Sequence, residues 1–246
     1  MSDALDPRSI GLVVEAPADA QSARILIDRV LRAHADWIDD SMLDYLRVWR
    51  GIEPESLVTY WKKIPALARA HAIRSHGHFS DEPAAPDAHA ARRALLLFTK
   101  LGMTDAVVML RDADAQPERR TGLEQARESS PHHDRIAIGV AEPEREAWLV
   151  AGFQPHDDDE RATLASERQR LGFDPCLTPQ SLRGDEKRSA KKVLATLTAS
   201  SRDRQHQCLA ETPLEHLCER GEACGLAAFI DDLKTRVAPA IVRRRA

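Results

Sequence analysis

The chain has 246 residues, 43% hydrophobic and 30% charged, with a net charge of −4 at neutral pH. That length can bury a core in one large domain or two smaller ones, while the charge balance excludes a basic field spread over the whole surface. Aromatic residues make up only 4%, which leaves no evident base-stacking platform, and no stretch reaches the roughly 20 apolar residues that span a bilayer.

The first element is the apolar run Ile10-Gly11-Leu12-Val13-Val14, which stops on Glu15. Pro17 follows at a position suited to helix entry, and Ala23, Leu26, Ile27, Val30 and Leu31 recur at three- and four-residue spacing. Strand, tight turn and amphipathic helix open a parallel βαβ unit. In residues 36–72 the pattern is ambiguous: Met42, Leu43, Leu46 and Val48 fit helix or strand, and 57–72 reads as helix interrupted near Pro65. Residues 77–86 read as a polar loop. A helix is expected from Ala88 to Leu101, with Gly102 as its cap.

Next comes Val107-Val108-Met109-Leu110-Arg111, an apolar strand that ends on Asp112-Ala113-Asp114. A polar helix over 117–128 leads to a third run, Ile136 to Ala141, which ends on Glu142. Pro143 then starts a short helix carrying Glu144, Glu146, Trp148 and Leu149. Ligands in open parallel sheets bind beyond the carboxyl ends of strands. Three acid-ended strands therefore predict a carboxylate cluster drawn from distant parts of the chain. Crowded carboxylates repel, so the expected neutralising partner is a hard cation, Mg²⁺ or Mn²⁺, with oxygen ligands. The plainer alternative is that Asp112 or Asp114 only caps the next helix.

Beyond Ala151 the texture becomes helical, with a charged helix expected over 161–171, a basic amphipathic helix over 186–197, a last helix over 226–238 with an apolar face, and no convincing strand. The expected organisation is thus an α/β domain over 1–151, with a helical insertion at about 36–86, and a mainly helical region over 152–246. Lys187, Arg188, Lys191 and Lys192, preceded by Arg183, form a basic stretch that could meet nucleic-acid phosphates. His71, His76 and His78, the pair His132 and His133, and the His206-x-Cys208 and His216-x-Cys218 pairs lack structural-zinc spacing. The four cysteines form no Cys-x-x-Cys pair, and the chain start lacks a signal-peptide layout. A cytoplasmic protein with reduced thiols is expected.

With Glu15-Ala16-Pro17-Ala18-Asp19, Asp112-x-Asp114 and Glu146-Ala147-Trp148-Leu149 in place, the chain resembles the TOPRIM superfold of topoisomerases, bacterial primases and OLD-family nucleases. More specifically, it is similar to a bacterial TOPRIM-like family of unknown function, often encoded beside an ATPase in phage-defence or mobile-element settings. The resemblance covers roughly residues 10–151. Ala16 replaces the usual Gly of the first motif, and the 36–86 segment is longer than a minimal TOPRIM connection.

The resemblance implies a TOPRIM-like, Rossmann-like mostly parallel sheet flanked by helices, with a C-terminal helical annex. It implies that Glu15 acts as general base or metal ligand and that Asp112 and Asp114 hold Mg²⁺. Asp19, Glu142 and Glu146 are candidates for a second ion. The implied function is a Mg²⁺- or Mn²⁺-dependent nuclease or nicking subunit acting on DNA or RNA. A separate AAA- or ABC-type ATPase would supply nucleotide hydrolysis, since the chain has no Gly-x-x-x-x-Gly-Lys. Homo-oligomerisation stays open. A catalytically inactive regulatory partner of the ATPase is the alternative. A haloacid-dehalogenase-like phosphatase also opens on a strand with Asp-x-Asp, but Gln116 stands where that family commonly has Thr or Val.

Overall fold

A computed structural model describes residues 7–75, 79, 82–102, 104–183 and 187–242. In chain order the elements are β1 (Arg8–Val14), α1 (Pro17–His34), α2 (Asp40–Leu46), β2 (Arg47–Arg50), β3 (Thr59–Tyr60), α3 (Ile64–Ala70), α4 (Ala88–Leu101) and β4 (Ala106–Asp112). They continue with α5 (Arg119–Glu128), β5 (Ile136–Ala141), α6 (Arg145–Ala151), α7 (Asp158–Leu171), α8 (Ala190–Leu197), α9 (Arg202–Ala210), α10 (Leu214–Gly221) and α11 (Leu226–Asp232). A π-helical turn (Leu233–Val237) then leads into α12 (Ala238–Ile241). The protein is α/β, with a mostly parallel sheet flanked by helices. Among the described residues no helix is long and apolar enough to cross a membrane.

The sheet order is β2-β1-β4-β5, with β3 also pairing β1. Strand β1 runs parallel to β2, β3 and β4, with Ile10 opposite Ala106 and Val13 opposite Met109. The central strands are near-continuous apolar runs because both faces are covered: Ile10, Leu12, Val13, Val14, Val108 and Met109 are all fully buried. The three acid-ended strands form as their sequence patterns predict. The ambiguous 36–72 segment resolves into α2, β2, β3, a 3₁₀ turn (Trp61–Lys63) and α3, with Pro65 in the first turn of α3 instead of interrupting a longer helix. Two short strands hidden there lengthen the sheet beyond the three expected. Four and two residues give no usable period.

Contacts divide the chain into two compact units. The first takes residues within Met1–Arg111, Gln116–Gly139 and Asp231–Ala246, and the second those within Asp112–Ala115 and Val140–Ile230. These units divide the chain elsewhere than after Ala151, for two reasons. Helix α6 is buried all round, with Ala147, Trp148, Leu149, Val150 and Ala151 at 1% exposure or less, and it packs on α8, α9 and α10. Its Trp148 stacks on Phe229 at 5.3 Å and donates its indole N–H to the Cys224 carbonyl at 2.7 Å. The last segment instead returns to the first unit, where the π-helical turn and α12 pack on α1.

Asp232 fixes that return. Its carboxylate accepts the Ile138 N–H of strand β5 at 2.9 Å and pairs with Arg127 at 2.8 Å and Arg236 at 3.0 Å. An N–H at the sheet's edge, which would otherwise be left to solvent or to another strand, is thereby satisfied by a side chain from the end of the chain. In the second unit, Arg204 performs a similar task. It pairs with Glu160 at 2.7 Å, donates to the Gln154 carbonyl and lies 4.8 Å from the Phe153 ring centre. The hydrogen bond to Arg204 holds the Glu160 carboxyl below its ordinary range.

Asp232→Ala should cost about 3 kcal/mol of stability in urea unfolding, because it strands two arginines and a strand N–H together. Asp232→Asn, which keeps an acceptor, should cost less; equal stability of Asp232→Ala and the parent protein would contradict this role.

Candidate functional site

In the first unit, Glu15 stands immediately past β1. Its Oε1 lies 3.5 Å from Arg111 Nε and 3.7 Å from Arg119 Nη1. Asp87 meets the same two arginines, at 2.8 Å and 3.3 Å. Arg111 is also held from its flat side. Its guanidinium lies 5.2 Å from the Trp61 ring centre, and the Trp61 indole N–H is pinned to the Leu110 carbonyl at 2.8 Å. Asp87 precedes α4 in the left-handed region at φ 66°, a conformation that Asp tolerates better than most residues. A cavity of about 370 Å³ opens here, lined by Glu15, Trp61, Lys62, Asp87, Ala90 and Arg111.

Asp19 has a local task. One of its carboxylate oxygens accepts the Glu15 N–H at 3.2 Å and the Ala16 N–H at 2.9 Å, and the residue is 6% exposed. It ties down the entry to α1, where the N-cap residue Ala16 has no side-chain oxygen to do so. Ala16 is extended, at φ −140°, a conformation that needs no Gly.

In the second unit, the turn after β4 carries the Asp-x-Asp pair. The Ala113 N–H donates to the Ala141 carbonyl at 2.9 Å, and the Asp114 N–H to the Pro143 carbonyl at 3.3 Å. Asp112 Oδ1 accepts the Arg145 N–H at 2.8 Å. The capping alternative thus holds in kind for Asp112, but the helix it serves is α6 and not α5, the next in sequence. Asp114 and Ala115 both sit in the left-handed region, at φ 46° and 60°. For Ala that conformation costs on the order of 1 kcal/mol, and such strain clusters at functional turns.

Around Asp112 the second unit gathers further charge. Glu144 pairs with Lys191 at 2.9 Å, and Glu146 with Arg145 at 2.9 Å. The hydrogen bond to Glu144 raises the Lys191 ammonium above its ordinary range, and Glu146 and Asp112 push in the same direction. Three carboxylates therefore act on one cation. Glu142 is partly buried, and its N–H donates to the Cys224 carbonyl. The sequence pattern puts Glu144 on its helix without marking it as a site residue, and groups Lys191 with the candidate nucleic-acid contacts. The run Pro143-Glu144-Arg145-Glu146 was the available signal. Arg111, directly before Asp112, was likewise missed.

The basic stretch does not form one helix face. Helix α8 starts at Ala190, with Ser189 as its N-cap, so Lys187 and Arg188 fall in the turn before it and not on a helix from 186. The Arg183 N–H donates to the Arg188 carbonyl, and Arg188 lies 5.7 Å from the Phe173 ring centre. Lys191 faces Glu144, and Lys192 is exposed. His76 and His78 lie outside the described residues. Among the described residues no three His, Cys, Asp or Glu side chains are gathered as a ready metal site.

No protein-family model, curated protein or solved structure matches the chain.

Three of the four thiols are poor nucleophiles. Burial pushes Cys176, Cys208 and Cys224 up to about 12. In native protein at pH 8 these three should resist a thiol reagent and react only on unfolding. Rapid native labelling at any of them, mapped by mass spectrometry, would overturn that assignment.

Proposed function

We propose that the chain is a TOPRIM-like, Mg²⁺- or Mn²⁺-dependent subunit that cleaves or nicks a nucleic-acid phosphodiester. One observation carries most of the weight: beside the strained turn after β4, Arg145 holds Asp112 through its N–H and Glu146 through its guanidinium, while Glu144 draws the Lys191 ammonium at 2.9 Å. Oxygen-only donors suit a hard divalent ion, and a cluster that already draws in an ammonium has the potential to bind one. Asp112, Asp114, Glu142 and Glu146, all within the second unit, are the ligands we assign; among the described residues no three of them are gathered, so an ion would have to draw them together. An ion there would compete with Lys191 for the field of Asp112 and Glu146. Bound, it would polarise the phosphodiester and offset charge on the attacking and leaving oxygens.

The chain's own residues prepare the turn. Arg145 anchors Asp112 through its backbone N–H and Glu146 through its guanidinium, so both acids are oriented before any ligand arrives. Glu15 keeps the general-base or ligand role that the resemblance implies, with Asp19 fixing the backbone beneath it. The separate ATPase partner likewise rests on the resemblance and on the missing phosphate-binding loop.

A second reading has a specific observation in its favour. Glu15, Asp19, Asp112, Glu144 and Glu146 each already meet protein N–H or cationic groups. Carboxylates neutralised in this way are stable without metal, as a non-catalytic regulatory partner would require.

Cleavage of single- and double-stranded DNA and RNA with Mg²⁺ and Mn²⁺, alone and with a co-encoded ATPase, separates the two. The nuclease reading predicts metal-dependent cleavage that Asp112→Asn lowers by about 10²-fold or more, with the circular dichroism spectrum unchanged. Stable association with the ATPase and no cleavage of any substrate would favour the regulator, and undiminished cleavage by Asp112→Asn would contradict the assigned ligands.

A further inference from the structure

We infer that the cavity between α4 and the starts of β4 and β5 is a small-molecule site, and that it takes a carboxylate joined to a compact apolar body such as an aromatic ring. The inference is independent of the nucleic-acid reading, because it uses none of the candidate acids. The cavity lies wholly within the first unit and measures about 190 Å³. Its apolar wall is made by Leu95 and Phe98 of α4, Ala106 and Val107 of β4 and Ile136 of β5, all 7% exposed or less. Phe98 and Thr104 can lie against β1 because Gly11 has no Cβ; one placed there would meet them at 2.8 and 3.0 Å. An apolar cavity of about 150 Å³ holds a benzene ring. A ring with one small substituent therefore matches the size here.

The polar side is built around Arg135, at the end of a 3₁₀ turn (His133–Arg135) that leads into β5. Its Nε is buried with no hydrogen-bond partner. Among the described residues the Arg135 side chain makes one ion pair, to Asp134 at 3.6 Å, beyond hydrogen-bond length. Asp134 is more than half exposed, so that pair is weak. Asp105, the acid that lines the cavity, is already matched: it pairs with Arg8 at 2.7 Å and accepts the Ser9 N–H at 2.8 Å. A buried guanidinium N–H left unpaired is unfavourable, and a ligand carboxylate supplies the missing acceptor. Thr99, Thr104 and Ser130 line the same cavity and bring hydroxyl donors. The apolar wall sets this ligand apart from a bare anion, which would leave five apolar residues with nothing to cover them.

Fluorine NMR of para-fluorobenzoate, a reporter of the size argued for, tests the site on the full-length protein. The parent should bind it with a dissociation constant of about 1 mM or tighter, as about ten heavy atoms allow. Benzoate should displace it. Acetate, inorganic phosphate and benzyl alcohol, each lacking one half of the ligand, should bind about tenfold more weakly or worse. Arg135→Gln should weaken benzoate about tenfold or more and leave benzyl alcohol unchanged, which ties Arg135 to the carboxylate. Thr99→Trp, at an exposed position of α4, should close the cavity to both.

Both substituted side chains reach solvent, so both variants should fold, and circular dichroism checks this. Should one fail to fold, the other still decides. No binding by the parent, or para-fluorobenzoate binding equal in the parent and in either folded variant, would overturn the proposal. So would equal affinity for acetate and benzoate, because the apolar wall would then contribute nothing.

Discussion

Carboxylates placed where apolar strands meet solvent are held in this chain by cations and N–H groups of the chain itself, and both units are built around that constraint. In the first unit, Glu15 and Asp87 share Arg111 and Arg119, and Asp19 is spent on the backbone at the entry to α1. In the second, Glu144 draws Lys191, Glu146 draws Arg145, and Asp112 holds the Arg145 N–H. None of these acids could sit so close to an apolar core without such partners. The same pairing recurs away from the candidate sites: Asp232 closes the edge of the sheet, and Glu160 holds Arg204.

That constraint bears on function as well as stability. A carboxylate satisfied by an arginine or lysine is stable without a metal, yet it remains a strong cation site if the partner is mobile. Lys191 is such a partner, with a side chain about two-thirds exposed, whereas Arg145 is buried and anchored. Exchange of a cation at Glu144 is therefore easier than at Glu146.

Much of the sheet was legible in the sequence. The runs at Ile10, Val107 and Ile136 are long, apolar and closed by an acid, and each forms a strand; Gly102 caps α4 as its position suggests, at φ 61°. Strands β2 and β3 were not legible, because four and two residues give no period and they form by pairing with β1. The contact units divide the chain before α6 and not at Ala151, and burial on all sides of α6 cannot be told from burial on one side by an apolar run alone. The candidate acids could be named from strand ends. Their partners could not: Arg111 with Asp87, and Lys191 with Glu144, are separated by 24 and 47 residues, and no spacing rule links them.

Calorimetric titration of Mn²⁺ into the protein, without nucleic acid, addresses the central claim most directly, namely that the acids around Asp112 accept a divalent cation. The account predicts binding by the parent protein, loss of about tenfold or more in affinity in Asp112→Asn, and tighter binding in Lys191→Gln, where the competing ammonium is gone. Identical affinity in all three proteins, or no binding by a folded parent, would contradict it.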